Sequence, residues 1–375
     1  MGYEISLVST FHCDPQNELK NYACLPIAFS RFSSGQPTTK AGSGSKDKNW
    51  IRRLTPGLQT LRYYLGPLTI LRYLRAYQKL VHTWQPDLVH ALRIPFEGML
   101  ASFTPYEIPF VVATWGNDLT LHARGSLLMR WFTRRTLKRA TGITSDTHRD
   151  IELALRWGLA AKAHSLVVPG SGGLDMDAIQ KAEGFDPLMF QIPDSDTWIV
   201  NPRGIRPGSV HQESFFAAVP RVIAEYPQAV FICPGLAGMP QAQAWVRKYA
   251  LSDCTFLLPK LPQEILWSLF KRSQLFISPS SHDGTPNTLL EAMACGCFPI
   301  AGDIESLREW LVHDQNGLLI DPRDPDQIAN AIIYALTRPD LRIKAADQNL
   351  NLVENRASRQ VTSEKINGFY HQFLE

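Results

Sequence analysis

Phe276-Ile-Ser-Pro-Ser-Ser-His-Asp-Gly-Thr-Pro-Asn-Thr-Leu-Leu-Glu-Ala-Met-Ala-Cys-Gly-Cys-Phe-Pro-Ile-Ala301 reads as strand, loop, helix, turn and strand. An apolar strand that ends in a small, polar loop and feeds a helix is the joint of a parallel α/β sheet. Open sheets of that kind bind ligands beyond the carboxyl ends of their strands. Thr288 followed by Glu291 fits a capping box and predicts a helix entered at Thr288, and Gly296 fits its stop. A helix start presents unpaired N–H groups and partial positive charge, which suits a phosphate. Gly284 lets backbone approach a ligand with no Cβ in the way. Asp283 and Glu291 are the segment's two carboxylates. Singly, each also fits a bland reading: a cap for Glu291, an Asx-type turn for Asp283.

Outward from this segment the same alternation continues. Short apolar runs predict strands at 5–10, 87–91, 110–114, 142–145, 165–168, 197–201, 229–234, 255–258, 275–279 and 298–301. Amphipathic stretches predict helices at 59–84, 126–139, 146–157, 213–226, 263–272 and 325–337. Strands apolar on both sides of their alternation are buried on both faces, as in parallel sheets covered by helices. The expected class is α/β, with two doubly wound, Rossmann-like domains.

The 375 residues suffice for two domains, and 45% apolar residues exclude a disordered chain. Residues 1–180 carry 21 Lys+Arg and 13 Asp+Glu, a net of +8; residues 181–375 carry 17 and 22, a net of −5. Two halves of opposite charge support the split. The turn cluster Pro169-Gly-Ser-Gly-Gly173 and the polar stretch 184–196 mark the boundary. The expected domains are 1–180, 190–355, and a C-terminal helix at 356–375 packing back on the first domain.

Several stretches invite functional readings that their spacing does not sustain. Gly42-Ser-Gly-Ser-Lys46 lacks the spacing of a phosphate loop, so 31–49 reads as a flexible loop. The six cysteines form no C-x-x-C pair, and Cys295-Gly-Cys297 lacks completing ligands, so zinc is set aside in favour of buried, reduced thiols in a cytoplasmic protein. Gly2 fits a loose myristoylation pattern, but residues 4–10 read as a strand, and the start lacks the basic and apolar regions of a secretory signal. Ser280, His282 and Asp283 lie too close on one loop to stack as a hydrolase triad.

With these residues in view, the 276–301 segment resembles the signature of the retaining GT-B glycosyltransferases of family four. That signature runs Glu, seven residues, Glu, then Ala-Met-Ala-x-Gly-x-Pro. Phe256 to Phe270 resembles the loop and helix framing the nucleotide base. Ser306-Leu-Arg-Glu309 and Asn316 to Pro325 resemble closing segments, and Pro169 to Asp177 the linker. Ala113-Thr-Trp-Gly-Asn-Asp-Leu119 resembles an interdomain motif of bacterial members.

The resemblance implies a GT-B fold, two domains facing across a cleft that holds a nucleotide diphospho-sugar, UDP-linked in preference to GDP-linked. It implies that Glu291 holds the ribose hydroxyls and Asp283 contacts the donor sugar. Backbone N–H groups of Thr285, Asn287 and Thr288 would face the sugar and phosphate, with Gly284 and Pro286 completing the donor-binding loop. Arg203 and Arg206 would neutralise the diphosphate, with Lys260, Leu261 and Glu264 framing the base. Asp118 is the N-terminal candidate, in a motif where Trp115 replaces the family's His. The catalytic set so implied is Asp283, Arg203 and Asp118. Asp283 replaces a Glu, and the family's Lys after the Arg is missing, with Gly208 near its place. No metal and no separate cofactor is implied.

The implied reaction moves a sugar, with retention, to a hydroxyl of a glycan or lipid-linked acceptor. Arginines and the helix start would stabilise charge growing on the departing diphosphate. From Lys40 to Lys79 there are nine basic residues and one acidic, and from Arg124 to Arg139 six basic and none acidic. Trp50, Tyr63, Tyr64, Tyr73, Tyr77, Trp131 and Phe132 interleave with them, which suits an anionic membrane at the inner face as well as a solvated helix surface. Nucleic acid is not expected, because the phosphate-binding loop lies in the acidic half. A catalytically drifted scaffold and a sugar-nucleotide epimerase stand as rival functions.

Overall fold

A computed structural model describes residues 2–15, 18–28, 48–195 and 197–374. The Gly42–Lys46 stretch and most of the expected loop at 31–49 lie outside the described residues; Lys48 and Asn49 open a helix instead. Two compact units emerge: unit 1 is Met1–Asp146, Asp150–Val167 and Ile366–Glu375, and unit 2 is Thr147–Arg149 and Val168–Lys365.

Unit 1 runs β1 (Ser6–Ser9), β2 (Asn21–Cys24), α1 (Lys48–Trp84), β3 (Val89–Ala91), α2 (Met99–Ala101), β4 (Phe110–Thr114), α3 (Leu127–Arg139), β5 (Gly142–Ser145), α4 (His148–Trp157) and β6 (His164–Val167). All its strands pair in parallel, β1 with β2 and the others in the order β3-β4-β5-β6. Helix α1 starts well before the expected position and contains no acidic residue. Pro67 lacks the N–H that would bond the Tyr63 carbonyl one turn back. Ser126 fills that gap: its Oγ donates to the Tyr63 carbonyl at 2.7 Å while accepting from the Met129 N–H as the cap of α3.

Unit 2 continues with α5 (Met176–Lys181), β7 (Trp198–Val200), α6 (Gln212–Glu225), β8 (Val230–Pro234), α7 (Pro240–Lys248), β9 (Thr255–Leu258), α8 (Gln263–Arg272), β10 (Leu275–Ser278), α9 (Asn287–Ala294), β11 (Phe298–Gly302), α10 (Glu305–Arg308), β12 (Leu318–Ile320), α11 (Pro325–Thr337), α12 (Pro339–Ala357) and α13 (Arg359–Leu374). Its six strands are parallel in the order β12-β11-β10-β7-β8-β9. From β7 the chain lays β8 and β9 to one side, then returns to lay β10, β11 and β12 on the other. The switch point of the winding therefore falls between β7 and β10. Alternate residues feed two cores: Ile199, Phe231 and Ile277 face one with α6 and α11, while Trp198, Ile232 and Phe276 face the other with α8 and α9.

From Ile366 onward α13 belongs to unit 1. Phe369 and Phe373 press on Gly142, where an added Cβ would lie 2.4 Å from the Phe373 ring. The Tyr370 hydroxyl meets His90 Nδ1 at 2.7 Å.

Three local expectations change. Helix α9 begins one residue before Thr288, with Pro286 as its cap and no side-chain cap bond, so the Thr288–Glu291 capping box does not form. Proline's fixed φ sets the helix entry without a side-chain acceptor. Its end is as expected: Gly296 adopts φ +79°, its N–H bonds the Met293 carbonyl and that of Cys297 bonds Ala292, a Schellman closure. Of the cysteines, all free, Cys233 and Cys297 are buried while Cys13, Cys24, Cys254 and Cys295 are half-buried. Tyr77 and Phe132 turn into the core of unit 1 rather than outward among the basic residues. Among the described residues, no helix is long and apolar enough to cross a membrane.

Candidate active site

The carboxyl ends of β7 and β10, side by side at the switch point, carry Arg203 and the loop 279–286. Arg203 is 7% exposed, and its guanidinium forms an ion pair with Asp283. A second nitrogen lies 3.5 Å from Thr288 Oγ1, at the start of α9. Its Nε is buried with no hydrogen-bond partner among the described residues. Burial pulls the Arg203 pKa below the ordinary guanidinium value, and the Asp283 charge counters it.

The backbone under Arg203 is fixed by buried amides. Asn201 Oδ1 accepts from the Arg203 N–H at 3.1 Å, Asn201 donates to Gln212 at 2.7 Å, and Gln212 donates to the Arg203 carbonyl. The opposing loop is zipped to residues 209–211: Ser281 N–H bonds the Ser209 carbonyl and His211 N–H the Pro279 carbonyl, both at 2.8 Å. Beneath it, a Cβ on Gly302 would lie 1.9 Å from the Ser280 carbonyl oxygen, so the loop rests directly on the strand end. Asp283 is held at both ends: its Oδ1 accepts from Gly284 N–H at 3.1 Å, and its carbonyl accepts from Ser306 Oγ at 2.8 Å.

Gly284, Thr285 and Pro286 are buried. Trp310 Nε1 donates to Thr285 Oγ1 at 3.0 Å. The Pro286 carbonyl accepts from Leu289 and Leu290, while the Asn287 and Thr288 amides have no acceptor among the described residues. Two free N–H groups, a helix positive end and a guanidinium thus converge, a geometry that receives an anion.

Glu291, one turn further on, is buried and accepts from Gln263 Nε2 at 2.7 Å. Burial pushes its carboxyl up, and the Gln263 amide partly offsets this. Leu261 packs against the second core of unit 2, whereas Lys260, Glu264, Arg206 and Asn287 are exposed. The structure therefore joins Arg203, Asp283 and Thr288, joins Glu291 to Gln263, and leaves Arg206 outside both groups.

Asp118 lies in unit 1, wholly buried beyond β4. It accepts from Arg93 Nε at 3.0 Å, Trp115 N–H at 3.2 Å and Ile94 N–H at 3.3 Å. Burial outweighs these donors and pushes its carboxyl up to about 6. Both of its oxygens are thus engaged by Arg93 and by backbone N–H groups of unit 1.

Asn201, Gln212, Gln263, Trp310 and Arg93 complete these contacts beyond the residues to which the sequence points. For Asn201 the signal was present, a polar residue closing an apolar strand; for the others only the fold supplies the partner.

Residues 210–351 match the family described as "Glycosyl transferases group 1", and residues 38–170 match "Glycosyl transferase 4-like domain". The D-inositol 3-phosphate glycosyltransferase of Corynebacterium jeikeium is 30% identical over 135 residues, 34% of this chain and 32% of that one. The O-antigen chain mannosyltransferase B of Escherichia coli is 30% identical over 109 residues, 29% of this chain and 28% of that one. The chain thus spans about a third of the length of the curated relatives it matches. In fold it is similar to a sucrose-phosphate synthase from Thermosynechococcus elongatus, with a TM-score of 0.71 at 15% identity over 99% of this chain and 89% of that one. Anabaena Alr3699/HepE in complex with UDP-glucose gives 0.65 at 14% identity over 81% and 82%.

Proposed function

We propose, for a chain that belongs to the glycosyl transferases group 1 family, that it transfers a sugar from a nucleotide diphospho-sugar to a hydroxyl of a glycan or lipid-linked acceptor, with retention. One observation carries this reading. Arg203, in the loop after β7, and the free amides of α9, following β10, meet at the switch point of the unit 2 sheet. Winding reverses there, so the two loops part and leave a crevice at the strand ends.

In this reading the diphosphate sits against the Asn287 and Thr288 amides and the Arg203 guanidinium. Charge on the leaving phosphate grows as the sugar departs, and those fixed dipoles and that cation meet it without reorganising. Glu291, steadied by Gln263, accepts from the ribose hydroxyls. Asp283 faces the sugar once Arg203 turns to phosphate. The leaving phosphate takes the acceptor's proton on the face it vacates, which gives retention. UDP is the favoured carrier, since Anabaena Alr3699/HepE was solved with UDP-glucose.

The test is a thermal-shift panel of UDP-, GDP- and ADP-sugars on the full chain, followed by product analysis with the best donor. A ligand that binds only the folded state raises its melting temperature. UDP-sugars are expected to give the largest shift and a glycosylated product. A donor converted to its epimer would favour the epimerase, and no response to any nucleotide sugar would end the reading.

We also infer that unit 1 meets its acceptor at an anionic membrane on the cytoplasmic side. Tyr64, Leu68, Leu71 and Arg75 are exposed along one stripe of α1, flanked by Leu65 and Arg72. Along α3, Leu127 is 83% and Trp131 55% exposed, interleaved with exposed Arg130, Arg134 and Lys138. A solvated helix face is ordinarily polar. Apolar residues ringed by cations, with no acidic residue on either helix, suit the headgroup boundary. Flotation with phosphatidylglycerol vesicles at low salt is expected, with loss on Leu127→Asp/Trp131→Asp; failure to float would remove this second reading.

A further inference from the structure

Unit 1 contains a cation that nothing above employs. Arg93 follows β3, and its backbone is pinned: the Gly98 N–H bonds its carbonyl at 2.8 Å, and a Cβ on Gly98 would lie 2.7 Å from that oxygen. Its Nε is pinned as well, by Asp118. Its two terminal nitrogens have no partner among the described residues, and the side chain is 39% exposed. Trp115, 54% exposed, lies beside it with the guanidinium carbon 5.9 Å from the ring centroid.

A second cation stands nearby. Arg62 lies over the Phe96 ring at 4.9 Å. The Tyr63 hydroxyl meets His122 Nδ1 at 2.8 Å, and burial together with Arg93 and Arg62 holds His122 neutral, down to about 4. Phe96 has φ +64° and ψ −60°, a strained γ-turn in a residue with a Cβ. Strain of that kind persists only where the surroundings over-determine it, and it clusters at binding sites. All of this lies beyond the carboxyl ends of β3 and β4, the ligand-binding edge of a parallel sheet.

We propose that Arg93 and Trp115 form an acceptor subsite for a sugar that carries an anionic group, phosphate or carboxylate. The Trp115 ring takes the apolar face of the sugar, and the free end of the Arg93 fork takes two oxygens of the anion. Asp118 is the positioning residue: by holding Nε it leaves the terminal edge of the fork pointing outward. The word acceptor rests on the proposed transferase function; the anionic sugar subsite does not.

The test is calorimetric titration of the full chain with glucose 1-phosphate, glucuronate, glucose and inorganic phosphate, each with and without excess UDP to occupy the Arg203 site. The two anionic sugars are expected to bind at least tenfold more tightly than glucose or inorganic phosphate, with UDP present as well as absent. Arg93→Gln is expected to abolish that difference, Arg93→Lys to restore part of it, and Trp115→Ala to weaken all three sugars while leaving phosphate unchanged. Charge-assisted bonds of this type have energies that correspond to about tenfold or more in affinity. Should Arg93→Gln leave the buried Asp118 carboxylate destabilising, Arg93→Gln/Asp118→Asn removes both charges and is expected to show the same loss. Equal binding of glucose and glucose 1-phosphate, or anionic binding indifferent to Arg93 in both variants, would overturn the proposal. Failure of UDP to bind would count against the transferase reading alone.

Discussion

The Arg203 guanidinium and the Asp283 carboxylate are paired across the switch point between β7 and β10. One cation is thus held by the carboxylate at the place where a diphosphate would need it. An incoming nucleotide must displace Asp283 from Arg203 before it gains the full charge. Asp283→Asn is therefore expected to tighten UDP binding several-fold by calorimetry while lowering transfer by tenfold or more, since the sugar contact is lost. Weaker UDP binding in that variant would contradict the competition.

Arg203 itself is expected to act chiefly on the transition state. Arg203→Ala should lower kcat/KM by about a hundredfold or more, the scale for removing a donor aimed at developing charge. Arg203→Lys should recover only part of this, because an ammonium cannot reach both the phosphate and Thr288 Oγ1 with a planar fork. Unchanged turnover in Arg203→Ala would remove it from the chemistry.

Gln263 donates to the buried Glu291 carboxylate at 2.7 Å, and the Trp267 side chain also stabilises its charged form. Gln263→Ala should leave that carboxylate without its amide and cost on the order of 1–3 kcal/mol of stability or nucleotide affinity. Denaturant titration with and without UDP separates the two. Because burial raises the Glu291 pKa, its ionisation costs stability as pH rises through that raised value.

Gly302 is irreplaceable by steric argument. A methyl group there would meet the Ser280 carbonyl oxygen at 1.9 Å, and that oxygen belongs to the backbone and cannot swing aside. Gly302→Ala must push the loop off the strand end, at about 1–3 kcal/mol for such overpacking. The expected result is a lower melting temperature together with a disproportionate loss of donor binding.

Asp118 sets a pH signature. Its folded-state value of about 6 lies above the ordinary 3.8. A raised acid contributes stability fully below the unfolded value and loses it as pH rises through the folded one. The wild-type advantage over Asp118→Asn should therefore shrink by on the order of 3 kcal/mol between pH 3.5 and pH 7.5. An advantage that grows with pH would mean that Arg93 outweighs burial.

Much of unit 2 was legible because its strands are apolar on both faces and its helices carry their own boundaries. The limits of β9, α8 and α11 follow directly from their patterning. The start of α9 did not, since Thr288 and Glu291 imitate a capping box while Pro286 sets the entry by backbone geometry alone. Strands β2 and β12 are short runs that alternation cannot distinguish from loop, and α12 has too mixed a surface to show one apolar stripe. Asp283 and Arg203 were each visible as charges. That they bond to each other depends on two loops meeting 80 residues apart in the chain.

The packing of Phe369 and Phe373 against Gly142 bears on how the molecule is made. Unit 2 is contiguous from Val168 to Lys365, so a ribosome delivers nearly all of it in one stretch. Unit 1 is not: the aromatic residues that cover β5 are translated only after every strand of unit 2 has emerged. The nascent first half must therefore wait with that surface bare, and the half translated second is free to reach its native form first.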